Sequence, residues 1–365
     1  MRDFIPQIEP WIDNQELKQL KRAIDSTYVT ENALTYEFEE MISDLTGSKY
    51  VVSITNGTAA LFCCLKALGI GRGDEVLVPN LTFIASSNAV IMAGATPVFC
   101  EINSSNFCVD TSKIEALVTN KTKAIMPVHL YGQSCDMDKI LQVAQRNNLF
   151  VVEDAAQGVG VRFNKKHTGT FGELGILSFY GNKTITCGEG GVVLTDSKEL
   201  RDKVYKIKNH GRLKKGQFVH EAIGYNFCFT EMQAAIGISQ LHKLPQIQDK
   251  KHQIYNRYIK EFKPIQDKLK PIPVDDRCDP VWWFTSFLTD VKPELQNYLL
   301  DCGIQTRDFF CPLHMQPCYR DMGFDRSTYQ LSETIYSQGI SFPSAFCLTE
   351  EEQEHIIQKT LEFYT

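Results

Sequence analysis

A regular alternation between residues 50 and 195 constrains this chain more than any other feature. Short apolar runs at 50–54, 75–78, 97–100, 123–128 and 149–152 are separated by helix-length segments, and strand-like runs continue at 176–180 and 191–195. Strands that are apolar along nearly their whole length are buried on both faces. The pattern therefore predicts an α/β fold built on a mostly parallel sheet with helices on either side. At 365 residues the chain can fill one large domain and a smaller one.

The flanks fit this frame. Leu17, Leu20 and Ile24 follow helical spacing behind the N-cap candidates Asp13 and Asn14. Leu34, Phe38, Met41 and Leu45 make a second stripe, which Gly47 is placed to end. Thr230-x-x-Gln233 is a capping box that opens a helix toward Leu244. Pro245 is expected to break it, with a longer polar helix following through Tyr255 and Phe262. From Pro271 the pattern reads as a smaller α+β unit, with strands at 284–290 and 304–307, a helix at 293–302 and a terminal helix opened by Thr349-x-x-Glu352. The expected division is a large α/β domain at 1–245 and a small C-terminal α+β domain at 246–365.

Composition excludes several classes. A net charge of −6 argues against a nucleic-acid binder. Residues 1–14 mix charges and prolines with no apolar run, so no signal peptide is expected, and no stretch is apolar enough to span a bilayer. Twelve scattered cysteines without an export signal read as reduced thiols of a cytoplasmic protein. Cys311-x2-His314-x3-Cys318 has the look of half a metal site, but no second pair stands at ligand spacing and no metal is expected.

Ligands of open α/β sheets bind beyond the carboxyl ends of the strands, so the loops there carry the chemistry. After the run at 50–54 comes Asn56-Gly-Thr-Ala-Ala60, a small polar turn feeding a helix, whose free N–H groups suit a phosphate or serve as an ordinary cap. After 149–152 comes Glu153-Asp-Ala-Ala-Gln157. An acid there is either a helix cap or the partner of a cationic ring nitrogen. After 176–180 comes Lys183, followed by Gly188-Glu-Gly-Gly191. A lysine in this loop becomes a candidate nucleophile once a phosphate cradle and an acid occupy neighbouring strand ends. Gly69-x-Gly71-x-Gly73 follows a helix and precedes a strand, the reverse of a dinucleotide-binding turn, and reads as a helix end.

Taken together, these segments resemble the DegT/DnrJ/EryC1/StrS family of pyridoxal-phosphate (PLP) sugar aminotransferases. The matching stretches include Asn56 to Ala60, Gly69-Ile-Gly-Arg-Gly-Asp-Glu-Val-Leu-Val-Pro79, Thr82-Phe-Ile-Ala85 and Pro127-Val-His-Leu-Tyr-Gly132. Further on are Glu153 to Gln157, Lys183, Asn209-His-Gly211 and Gly224-Tyr-Asn226. The resemblance implies the aspartate-aminotransferase-like fold, fold type I. It makes Lys183 the Schiff-base lysine and proton shuttle, and Asp154 the partner of the pyridine nitrogen. Gln157 would bond the ring oxygen, Gly57, Thr58 and Ser178 would hold the phosphate, and Phe83 would stack on the ring. It further implies a homodimer with shared active sites, Asn226 reaching the partner subunit's phosphate. L-Glutamate would load the amino group as pyridoxamine phosphate, and a nucleotide-linked keto-sugar would accept it.

Within the family, the stretch from Ser178 to Gly191 is most similar to the perosamine-synthase group, which aminates C4 of a GDP-linked 4-keto-6-deoxy sugar for glycan or O-antigen synthesis. The segment from Arg307 through His314 to Tyr319 resembles that group's substrate-binding stretch, making Arg307 and His314 candidates to hold the sugar nucleotide. Gln157, Cys228 and Pro280 depart from the group's usual Glu, Arg and His. UDP- or dTDP-linked sugars and amination at C3 stay open. A non-catalytic regulator would need a lost lysine or a DNA-binding appendage, and a sugar 3-dehydratase would carry histidine at position 183.

Overall fold

The computed structural model describes residues 2–214, 216, 218–322 and 326–365. Helices α1 (Asn14–Asp25) and α2 (Ala33–Thr46) come first. A seven-stranded sheet follows, made of β1 (Tyr50–Ile54), β2 (Glu75–Pro79), β3 (Thr96–Cys100), β4 (Thr122–Ile125), β5 (Phe150–Asp154), β8 (Leu174–Ser178) and β9 (Gly191–Thr195), in the order β1-β9-β8-β5-β4-β2-β3. Strand β9 runs antiparallel to both its neighbours, and every other pairing is parallel. Between strands lie α3 (Gly57–Ala67), α4 (Ala85–Met92), α5 (Thr111–Leu117) and α6 (Met137–Asn147), with α7 (Lys198–Lys208) after β9. Residues such as Val76, Val78, Val152 and Ile176 are buried on this sheet, as the apolar runs require.

A hairpin of β6 (Arg162–Phe163) and β7 (Lys166–His167) takes a third strand, β11 (Cys278–Asp279), from far down the chain. A separate antiparallel sheet in the C-terminal part has the order β10-β12-β14-β13, from β10 (Lys270–Pro271), β12 (Thr285–Leu288), β13 (Arg307–Asp308) and β14 (Gly339–Phe342). Its core of Phe262, Phe287, Phe342 and Ile356 is closed by α9 (Lys292–Asp301) and α11 (Glu350–Tyr364), while α10 (Gln330–Gln338) leads into β14.

Three expectations are corrected. Helix α8 (Glu231–Glu261) opens on the expected capping box at Thr230 but runs unbroken through Pro245 for 31 residues. Its neighbours Leu241, Leu244 and Ile247 are buried in one cluster with Phe38 and Leu177. Packing there outweighs the ~3 kcal/mol that an interior proline costs a helix. Helix α1 packs only Leu20 of its apolar stripe against the core, since Leu17 and Ile24 are 62% and 60% exposed. It turns Glu16 and Ala23 inward instead, because Lys243 of α8 ion-pairs with Glu16 at 2.8 Å. The expected strand over 304–307 is confined to Arg307–Asp308, with Ile304 bridging to Ile5.

Candidate active site

The carboxyl ends of β1, β5 and β8 converge on a pocket of about 810 Å³ lined by Asn56, Gly57, Thr58, Phe83, Asp154, Gln157, Ser178, Lys183, Trp283, Arg307 and Phe310, among others. Helix α3 begins at its wall. The Asn56 side chain accepts from Ala59 N at 2.9 Å, and Gly57 and Thr58, the first helical residues, have no intrahelical acceptor for their N–H groups. A Cβ on Gly57 would stand 3.1 Å from Ser178 Cβ, so a side chain there would have to push this helix end or the serine back by a few tenths of an ångström. Backbone donors, a helix N-terminus and a buried hydroxyl make a cradle suited to a phosphate.

Asp154 ends β5, where its backbone N–H bonds Pro127 O and its carbonyl accepts from His129 N. Its buried carboxylate accepts from Ser86 Oγ at 2.7 Å and from Ala156 N at 3.1 Å. Beside it, Glu153 points away from the pocket and accepts from the N–H groups of Gly169, Phe171 and Gly172, with His129 Nε2 at 3.0 Å. Glu153 fastens β5 to the segment that leads into β8, and the pocket acid is Asp154. Gln157 Oε1 is taken by Tyr131 N at 2.6 Å, so the amide presents its NH₂ elsewhere and acts at the pocket wall as a donor.

Lys183 sits in the loop after β8. Burial pushes its amine down to about 8 from the ordinary 10.5, Asp154 opposing that shift and Arg307 adding to it. Its Nζ lies 4.1 Å from the centroid of the Trp283 ring, and the Trp283 indole donates to Asn182 O at 2.7 Å, tying the lysine loop to the C-terminal part. Arg307, half-buried with its guanidinium over Phe284, also faces the pocket, and burial lowers its pKa. Phe83 is 54% exposed at the wall and packs against Phe310.

Eight of the expected residues meet here: Gly57, Thr58, Phe83, Asp154, Gln157, Ser178, Lys183 and Arg307. Two do not. Asn226 is exposed and outside the wall, bridging to Asn209. His314 is turned inward and lies off this wall, its ring held by Asn80 and by Glu333 Oε1 at 2.9 Å. Cys228 lies off the wall too, half-buried on Lys208 O. Ser86 and Trp283 were missed. Ser86 stands one residue beyond a quoted motif, and Trp283 lies a hundred residues from the lysine it touches, so spacing alone could not pair them.

A family model described as the DegT/DnrJ/EryC1/StrS aminotransferase family matches residues 10–361. GDP-perosamine synthase of Escherichia coli O157:H7 is 37% identical over 369 residues, covering 99% of this chain and 99% of its own length. Among solved structures, DesV of S. venezuelae superposes with a TM-score of 0.94 at 30% identity, covering 99% and 98% of the two chains. The PLP form of the sugar aminotransferase Spr1654 from Streptococcus pneumoniae superposes with a TM-score of 0.93 at 25% identity, covering 98% and 97%. With a desolvated lysine, a carboxylate and a phosphate cradle on neighbouring strand ends of this fold, the chain belongs to the DegT/DnrJ/EryC1/StrS aminotransferase family and is a PLP-dependent sugar aminotransferase.

Proposed function

We propose that this chain transfers an amino group from L-glutamate to C4 of a nucleotide-linked 4-keto-6-deoxy-hexose, GDP-linked as in the perosamine synthases it resembles. The observation that carries the reading is the Lys183 amine, lowered to about 8 in the same pocket as Asp154 and the Gly57–Ser178 cradle. The residues fit PLP. Gly57 and Thr58 N–H groups with Ser178 would hold its phosphate, the Gln157 NH₂ its ring oxygen, Asp154 its ring nitrogen, and Phe83 would cover one face. Bound there, PLP supplies an electron sink for negative charge at the substrate carbon. Lys183, unprotonated for much of the time near pH 8, would take a proton from one reacting carbon and deliver it to another, and Trp283 and Asn182 keep its loop in place. Arg307 suits an anionic substrate group, its fork offering two parallel hydrogen bonds.

A homodimer with shared sites belongs to this reading. Asn226 is exposed away from its own pocket, and Phe83, Met92 and Tyr180 leave apolar surface exposed around the pocket. No helix among the described residues is long and apolar enough to cross a membrane. Twelve free cysteines, several buried in the core, suit the reducing cytoplasm.

The test is purified protein with PLP, glutamate and a panel of GDP-, UDP- and dTDP-linked 4-keto-6-deoxy sugars, with products identified by mass and NMR. A C4 amine on the GDP-linked sugar is expected. Amination at C3 alone, or of no sugar nucleotide, would overturn the reading.

A further inference from the structure

We infer that Ser86 is a positioning residue for Asp154, backed by Thr82 in a directed hydroxyl relay. Ser86 is fully buried in the first turn of α4, yet its hydroxyl leaves that helix to reach Asp154 Oδ2 at 2.7 Å, closer than its 3.3 Å approach to Phe83 O. A serine hydroxyl carries one proton, and an ionised carboxylate only accepts. The Ser86 proton therefore goes to Asp154. The Thr82 hydroxyl, 3.2 Å from Ser86 Oγ, is left to donate to Ser86, so the chain runs from Thr82 to Ser86 to Asp154. Ala156 N fixes the other oxygen, Oδ1. Each carboxylate oxygen is thus held by one donor, and the group cannot rotate away from the pocket without breaking a buried hydrogen bond.

The relay also joins two walls. Phe83 lies between Thr82 and Ser86 in sequence, so the two hydroxyls that orient the acid flank the aromatic residue that lines the pocket. If Ser86 served only the start of α4, its bond would stop at Phe83 O. The closer approach to a carboxylate in another element points to the site. This inference rests on the PLP reading above and names what aims the acid at the ring nitrogen.

The test loads wild type, Ser86→Ala and Ser86→Thr with PLP labelled with 15N in the ring. Wild type should show the protonated ring nitrogen. Ser86→Ala should still fix PLP to Lys183 on borohydride reduction, while its ring resonance moves toward neutral pyridine. Its kcat/KM should fall by about 10- to 100-fold, the factor that losing a hydrogen bond to a charged group brings. Ser86→Thr, which keeps the hydroxyl, should restore the resonance and most of the rate. Thr82→Val, nearly isosteric, should give a smaller displacement in the same direction and reads the relay if Ser86→Ala does not fold. A wild-type ring resonance in both Ser86→Ala and Thr82→Val, or in Thr82→Val alone where Ser86→Ala does not fold, would overturn the inference. A wild-type protein that captures no PLP on Lys183 would instead overturn the function on which it rests.

Discussion

Lys183 and Lys251 are both lysines that the fold strips of water, and they differ in what replaces it. Lys183 faces the pocket with Asp154 near it. Lys251, on α8, is buried and donates to the carbonyls of Trp283 and Ser344, and desolvation pushes it down to about 7. Only the unprotonated amine attacks an aldehyde. Capture of PLP by apoprotein, trapped with borohydride on the Lys183 peptide, should therefore rise with pH through about 8 and not through the ordinary 10.5. For Lys251 the linkage has a definite sign. Between about 7 and 10.5 the unfolded chain holds a proton that the folded chain has released, so stability climbs with pH across that window. Denaturant midpoints measured from pH 7 to 10 should show the slope, and Lys251→Met should flatten it. Asp154→Asn should keep PLP, since the cradle is intact, yet lose turnover by about 10²–10³-fold, the cost of a few kcal/mol of electrostatic stabilisation. Near-normal kcat in that variant would reduce Asp154 to a cap. Lys183 and Asp154 were legible because both follow apolar strands whose ends the fold must gather. Ser86 was not, because a serine in a first helical turn reads as a local cap until the third dimension brings a carboxylate to it. The hydrogen bonds of His314 were illegible for the same reason: its neighbours match a binding stretch, and only the fold brings Asn80 and Glu333 to its ring.

At the scale of elements, the start of α2 depends on a residue nearly two hundred positions away. Asn32, its N-cap, makes no side-chain cap bond. The buried Glu231 carboxylate at the start of α8 accepts instead from Asn32 N, Leu34 N and Thr35 N at 2.8–2.9 Å, and from Thr35 Oγ1 at 2.7 Å. One side chain thus serves orphan donors that local sequence leaves open. Glu231→Ala should lower stability by about 2–4 kcal/mol, read as a shift in denaturant midpoint, because several buried donors lose their acceptor together. Glu231→Gln, with one oxygen left, should fall between. The same locality explains what the sequence reading saw and missed among the elements. The capping boxes at Thr230 and Thr349 involve four consecutive residues and were readable. The passage of α8 through Pro245 depends on α1, α2 and the sheet packing around it, and no local rule contains them.

For the whole molecule, the proposed shared-site dimer makes a sharp demand. Lys183→Ala subunits lack the amine and Asn226→Asp subunits lack the residue proposed to act across the interface, so each homodimer should be inactive. Mixed under conditions of subunit exchange, they should recover activity through one repaired site per heterodimer. Continued silence from well-folded, exchanging mixtures would place Asn226 in its own subunit. A last consequence concerns how the molecule comes apart. Helix α8 bonds to the N-terminal region, the loop before β9 and the C-terminal part: Gln233 bonds Glu189 O, Gln240 bonds Trp11 O and Glu16, Lys251 bonds Trp283 O and Ser344 O, and Ile254 O accepts from Gln353. An axle shared by these regions ties the segments on either side of 245 together. Neither a fragment ending at 245 nor one beginning at 246 should hold a melting transition of its own, and the intact chain should lose the signals of the seven-stranded and the C-terminal sheets at a single temperature.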